Sequence, residues 1–133
     1  MIFEYADSYF LMERKATASE QRLKSKLSLG IGGHIRQKDI EGGSIFDWAK
    51  REFQEEVAYD GSLTIEPLGV LNDDSDAVGQ VHLGLILLLH GDRPDISIRS
   101  EHKQGMLVSR SQMNMYVDRM ESWSKIAWQN ICK

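Results

Sequence analysis

One stretch, Gly30 to Ala58, constrains this chain more than any other: GIGGHIRQKDIEGGSIFDWAKREFQEEVA. Read as a helix, its second half advances by about 100° per residue. Glu52, Glu55 and Glu56, spaced i, i+3 and i+4, then share one narrow arc. Phe46, Ala49, Phe53 and Val57 form an apolar stripe beside that arc. Like charges at this spacing weaken a helix slightly. A helix that crowds three carboxylates beside its buried face therefore invites a compensating cation. Hard dications such as Mg²⁺ take oxygen ligands of this kind. The plainer alternative is a solvated helix whose Arg and Glu make weak surface pairs.

The surroundings favour a site. An apolar, strand-like run from Leu27 to Ile31 feeds a glycine-rich turn at Gly30, Gly32 and Gly33. Glycine lets main-chain groups approach a ligand closely. Gly42-Gly43 then leads to Ser44, a good N-cap, with Asp47 three residues on as a near capping box. His34 and Arg36 follow the glycines and are candidates to contact a phosphate, with exposed loop positions the plainer reading. Trp48, on the first turns of the helix, reads as a packing residue.

These residues resemble the box of the Nudix hydrolases, G-x5-E-x7-R-E-U-x-E-E-x-G-U with U apolar. Arg51, Glu52, Phe53, Glu55 and Glu56 match its second half in register, and Tyr59 serves as the last U. The first half departs. Gly43 stands where the family has a glutamate, the loop from Gly33 to Ser44 is lengthened, and Glu41 is the nearest acid to stand in. Ala58 replaces the usual glycine after the helix. GIGGHI with its long loop, and VGQVHLG further on, also resemble a bacterial subgroup. The resemblance implies an α/β/α sandwich around a mixed β-sheet, with a strand ahead of Met1. It implies a metal set of Glu52, Glu55, Glu56 and the Gly32 carbonyl, binding Mg²⁺ or Mn²⁺. It implies that Arg51 orients a glutamate through a charge-assisted bond. Glu101, the carboxylate of the loop Ser100 to Gly105, answers to a further acid that such enzymes supply there, with an exposed loop residue the alternative.

Length and charge bound the rest. The chain has 133 residues, enough for one domain with a proper core. Net charge is -4 with no Lys/Arg cluster, which argues against nucleic-acid or membrane-surface binding. Cys132 is the only cysteine and forms no internal disulfide, consistent with a cytoplasmic setting. Glu4, Asp7 and Glu13 leave no signal peptide at the N-terminus. The apolar run Val81 to Leu89 falls short of the roughly 20 residues of a membrane span.

Along the chain, Ser8 to Met12 reads as a strand and Lys15 to Lys26 as a polar loop, within which Arg22 and Lys24 are candidates to face substrate. Leu63 to Asn72 reads as a strand with Pro67 marking a bulge or an edge. Asp73, Asp74 and Asp76 read as a solvated turn rather than a calcium loop, since a late Glu is missing. Val78 to His90 is the longest β-like run, its centre fit for burial on both faces. His82 at its start is a candidate to face substrate, and His90 at its end reads as structural. A short strand follows over Ile96 to Ile98. Ser109 or Ser111 caps a helical end region, in which Met113, Tyr116, Val117, Met120, Ala127 and Ile131 form a core-packing or homodimer-packing stripe, broken near Asp118–Ser122.

The expected function is metal-dependent hydrolysis of a diphosphate linkage in a nucleotide-type small molecule, with Glu52, Glu55 or Glu101 as the catalytic acids. The alternative is a nucleotide-binding or regulatory module of the same fold that cleaves weakly or not at all, which the missing acid at Gly43 keeps open.

Overall fold

Alternating apolar residues place a sheet between two helical layers. The structure, a computed structural model, describes residues 1–15 and 26–133, so Arg22 and Lys24 lie outside the described residues. In chain order the elements are β1 (Ile2–Tyr5), β2 (Ser8–Arg14), β3 (Leu27–Ser28), α1 (Gln37–Ile40), α2 (Ile45–Glu56), β4 (Val57–Ala58), β5 (Leu63–Leu71), β6 (Gly84–Gly91), β7 (Ser97–Ile98), β8 (Lys103–Ser109) and α3 (Ser122–Ile131). Short 3₁₀ turns cover Gly79–Val81, Arg110–Met115 and Val117–Arg119. The sheet is mixed. β6 pairs parallel with β1 and antiparallel with β5. β2 carries β8 along one edge, and β1 and β3 in succession along the other. β4 and β7 make a separate antiparallel pair.

Period-two alternation sorts the strand residues. Phe3, Phe10, Met12, Leu87 and Leu89 pack with Trp48, Ala49 and Phe53 of α2. Ile2, Tyr9, Leu11, Leu88 and Val108 pack on the opposite face with Met113, Met120, Ala127 and Trp128. This is the α/β sandwich expected, with β6 buried at its centre on both faces. Phe53 is fully buried and stacks on Phe3; cutting such a side chain to alanine costs about 3–5 kcal/mol. Pro67 falls at a register shift between Pro67 and Gly69, on an edge strand, so both readings of it hold.

Several expectations need correction. The run Leu27 to Ile31 is a strand only over Leu27–Ser28. Beyond it, the Leu29 N–H donates to Ser124 Oγ (2.9 Å) and the Ile31 N–H to the Met1 carbonyl (2.7 Å), so α3 and the first residue replace a neighbouring strand. The strand expected from Val78 begins only at Gly84. Val81 and Leu83 are 78% and 72% exposed in and after a 3₁₀ turn, because hydropathy alone cannot separate a buried strand from an apolar rim. Phe46 is 40% exposed, and Trp48 takes its place in the core. The end region is two 3₁₀ turns before α3, and Ser109 Oγ bonds Ser111 Oγ and Gln112 Oε1 rather than capping a helix. Its stripe nevertheless packs into the core.

Candidate active site

α2 is held at both ends, which fixes the arc that carries its glutamates. At its start Ser44 Oγ accepts the Asp47 N–H (3.2 Å) and Asp47 Oδ2 accepts the Ser44 N–H (3.1 Å), the expected capping box. Those Ser44 bonds hold the Asp47 carboxyl below its ordinary range. At its end the Val57 N–H donates to the Phe53 carbonyl with Val57 extended at φ -129°. The chain therefore runs straight into β4 without a left-handed residue, and Ala58 is tolerated where the resembled box has glycine. Arg99 seals this end. Its Nε donates to the Gln54 and Val57 carbonyls (2.9 and 3.0 Å), and its N–H to the Glu56 carbonyl (2.9 Å). A cation there also suits the helix dipole.

Glu52 reaches from this helix to the glycine loop. A Cβ at Gly33 would lie 2.2 Å from Glu52 Oε1, so a larger residue there would displace the carboxylate from this position. Gly30 and Gly32 show no such crowding. Burial, then the charges of Glu55, Glu56 and Asp39, push the Glu52 carboxyl above its ordinary range. No described cation forms an ion pair with Glu52, Glu55 or Glu56. Arg51, expected to orient a glutamate, instead donates Nη2 to the Asp39 carbonyl (2.9 Å) and ties α1 to α2. The lengthened loop thus supplies a partner of its own. Its α1 starts with the Arg36 N–H on Asp39 Oδ2 (2.8 Å).

Glu52 and Glu55 line a pocket of about 380 Å³ with Asp39, Arg36, Arg51, His34 and Trp48. Glu56, Glu101 and Glu41 do not line it. Among the described residues no group of three or more His, Cys, Asp or Glu stands close enough to hold a metal ion. The donor chemistry nonetheless fits a hard dication. The carboxylate oxygens are uncompensated, one of them is pressed into a glycine cradle, and the main chain lies beside it.

His34 and Trp48 are shared with a second, larger cleft of about 610 Å³. Gly32 and Gly33 form one wall, the N-terminal half of β6 another, and Trp123 and Ser124 of α3 a third. Trp123 lies against the strand: a Cβ at Gly84 would sit 2.5 Å from its ring. His34 and His82 meet here, Nε2 to Nε2 at 3.3 Å. The structure therefore gathers Gly32, His34, Arg36, His82, Glu52 and Glu55 around two adjoining cavities, and leaves Glu101 exposed in the turn before β8. His90 lies elsewhere, between Glu4 and Glu66, in the structural role expected of it. Asp39, Arg99 and Trp123 escaped the sequence reading. Asp39 and Arg99 sit in polar segments with no periodic signal, and Trp123 sits beside a stripe read as packing.

No protein-family model matches the chain. It is 34% identical over 137 residues to Protein YmaB of Bacillus subtilis (strain 168), across 94% of this chain and 65% of that protein. It superposes on the crystal structure of Tm1382, described as a candidate Nudix hydrolase, with a TM-score of 0.77 and 29% identity, across 98% of this chain and 66% of the other. The chain thus spans about two thirds of the length of each. The mixed sheet with its flanking helices is a Nudix-like fold. Among the described residues no helix is long and apolar enough to cross a membrane.

Proposed function

We propose that this chain is a single-domain, metal-dependent hydrolase that cleaves a diphosphate linkage in a nucleoside diphosphate derivative. The observation that carries the reading is Glu52, crowded by Glu55, Glu56 and Asp39 with no ion-paired cation, in a polar pocket that shares His34 and Trp48 with an aromatic cleft. The likeness to Tm1382 supports the reaction class. Glu52, Glu55, Glu56 and the Gly32 carbonyl would hold Mg²⁺ or Mn²⁺, with Glu56, which does not line the polar pocket, turning toward it to close the set. A bound dication would neutralise the phosphates and lower the pKa of the attacking water. Either Glu52 or Glu101 accepts the water's proton, and their Gln variants distinguish the two. Water adds to phosphorus, the bond to the bridging oxygen breaks, and a phosphate leaves. His34, Arg36 and His82 stand where phosphate oxygens enter. Trp48 and Trp123 give the remaining half of the substrate an apolar seat.

The test is release of phosphate or nucleoside monophosphate from nucleotide sugars, dinucleotides and nucleoside triphosphates, with and without Mg²⁺. Metal-dependent turnover is expected, with Glu55→Gln and Glu56→Gln folded and slower by orders of magnitude. Near-normal turnover in both variants overturns the assignment. A second reading, a module that binds nucleotide without cleaving it, draws on Gly43 in place of the box acid and on described acids that stand too far apart to share an ion. It predicts nucleotide-dependent stabilisation with no release of product.

A further inference from the structure

His34 and His82 come from segments 48 residues apart and meet at the mouth of the aromatic cleft, with Nε2 to Nε2 at 3.3 Å. We propose that they form a second metal site, distinct from the carboxylates, for a borderline dication such as Zn²⁺, Co²⁺ or Ni²⁺. Three observations converge on it.

The first is the separation. Imidazole nitrogens bind zinc at about 2.0–2.1 Å in tetrahedral geometry, which sets two of them about 3.3 Å apart. The second is the tautomer of His82. Its Nδ1 lies 2.6 Å from the Val78 carbonyl. A carbonyl only accepts, so Nδ1 carries the proton and Nε2 presents a bare lone pair. Metal-bound imidazoles have this outer partner. The third is preorganisation. The His82 N–H donates to the Gly79 carbonyl (3.3 Å), and the His82 carbonyl accepts from Asn72 Nδ2 (3.0 Å), so the turn holds the ring without help from a ligand.

Without metal, His34 Nε2–H is the donor of the contact. To bind, His34 moves that proton to its own Nδ1, and both Nε2 lone pairs face the ion. Imidazole suits zinc, cobalt or nickel and is a poor match for Mg²⁺, which takes oxygen ligands. Among the described residues no third His, Cys, Asp or Glu completes the set, so the other positions stay open to water or to a substrate oxygen. His34 is exposed, which gives the ion a path in. A bound ion would tie the glycine loop to the turn ahead of β6.

The test uses metal-stripped protein, titrated with Zn²⁺ by calorimetry and with Co²⁺ by its visible absorption. Wild type is expected to bind one equivalent of each that His34→Ala removes, with a tetrahedral cobalt spectrum, besides any ion taken by the carboxylates. His34→Ala and His82→Ala should each weaken binding by at least about tenfold. Glu55→Gln should leave zinc affinity where it was, while losing its response to Mn²⁺. His34 lies on an exposed loop, so its replacement keeps the test valid if His82→Ala unfolds the turn. Zinc affinity unchanged in His34→Ala, or lost in Glu55→Gln, overturns the site. Either result leaves the proposed hydrolysis to stand or fall on its own assay.

Discussion

Two of the places where described residues bring carboxylates together are finished differently. At the C-terminal end of β6, Glu4 and Glu66 flank His90: Nδ1 lies 2.8 Å from Glu4 Oε2 and Nε2 lies 3.0 Å from Glu66 Oε2. The bond to Glu66, then that to Glu4, raises the imidazole's pKa. The other Glu4 oxygen accepts the Asp7 N–H (2.7 Å). Each acid there has a partner. On α2, Glu52, Glu55 and Glu56 have no ion pair, and Arg51 beside them spends its guanidinium on the Asp39 carbonyl. A chain able to compensate one set of acids has left the other open. A carboxyl raised by burial and by neighbouring like charges at a cavity, as Glu52 is, marks a candidate functional site.

The largest expected break in this contrast is catalytic. Glu52→Gln should lower metal-dependent turnover by about 10²–10⁴-fold, the range of a lost general base, whereas His90→Gln should leave turnover near wild type. Single-turnover assays on the active substrate check this.

The next effect is on stability and has the opposite sign. The Glu52 carboxyl binds its proton more tightly in the fold than in the unfolded chain, so its ionised form costs stability at neutral pH. Metal-free Glu52→Gln should therefore melt about 1–4 °C higher than wild type at pH 7. The gap should close as pH falls through the raised carboxyl value. A lower melting temperature would mean that Glu52 is part of the scaffold.

His90 gives the smallest effect. Its pKa is raised, so its contribution is fully present below about pH 6.5 and is lost as pH rises through the higher folded value. The His90 and Glu66 side chains are 37% and 56% exposed, so His90→Gln should cost only about 0.2–1 kcal/mol at pH 6 and nothing measurable at high pH. Melting curves across pH separate the two.

The parts of this contrast that the sequence revealed are those with a period. The shared arc of the three glutamates, the Ser44–Asp47 cap and the bulge at Pro67 follow from spacing and turn chemistry within a few residues. What depended on distant partners was hidden. The Leu27–Ile31 run looks like a strand, yet its later residues bond Met1 and Ser124. Val81 and Leu83 look like core and form the rim of a cleft. The glycine loop reads as letting main chain approach a ligand, but what comes close at Gly33 is a side chain 19 positions on, Glu52. The partner of Arg51 was out of reach for the same reason, because it is a carbonyl in the inserted helix. His34 and His82 were each singled out, and only the fold makes them a pair.

The most direct measurement is the melting temperature of metal-stripped protein with and without Mn²⁺, for wild type, a Glu52→Gln/Glu55→Gln double variant and His90→Gln. A ligand at a hundred times its Kd stabilises by about 2.7 kcal/mol, so wild type and His90→Gln should both melt several degrees higher with Mn²⁺, and the double variant should not move. No shift in wild type, or an equal shift in the double variant, would contradict the claim that the open carboxylates of α2 await a dication.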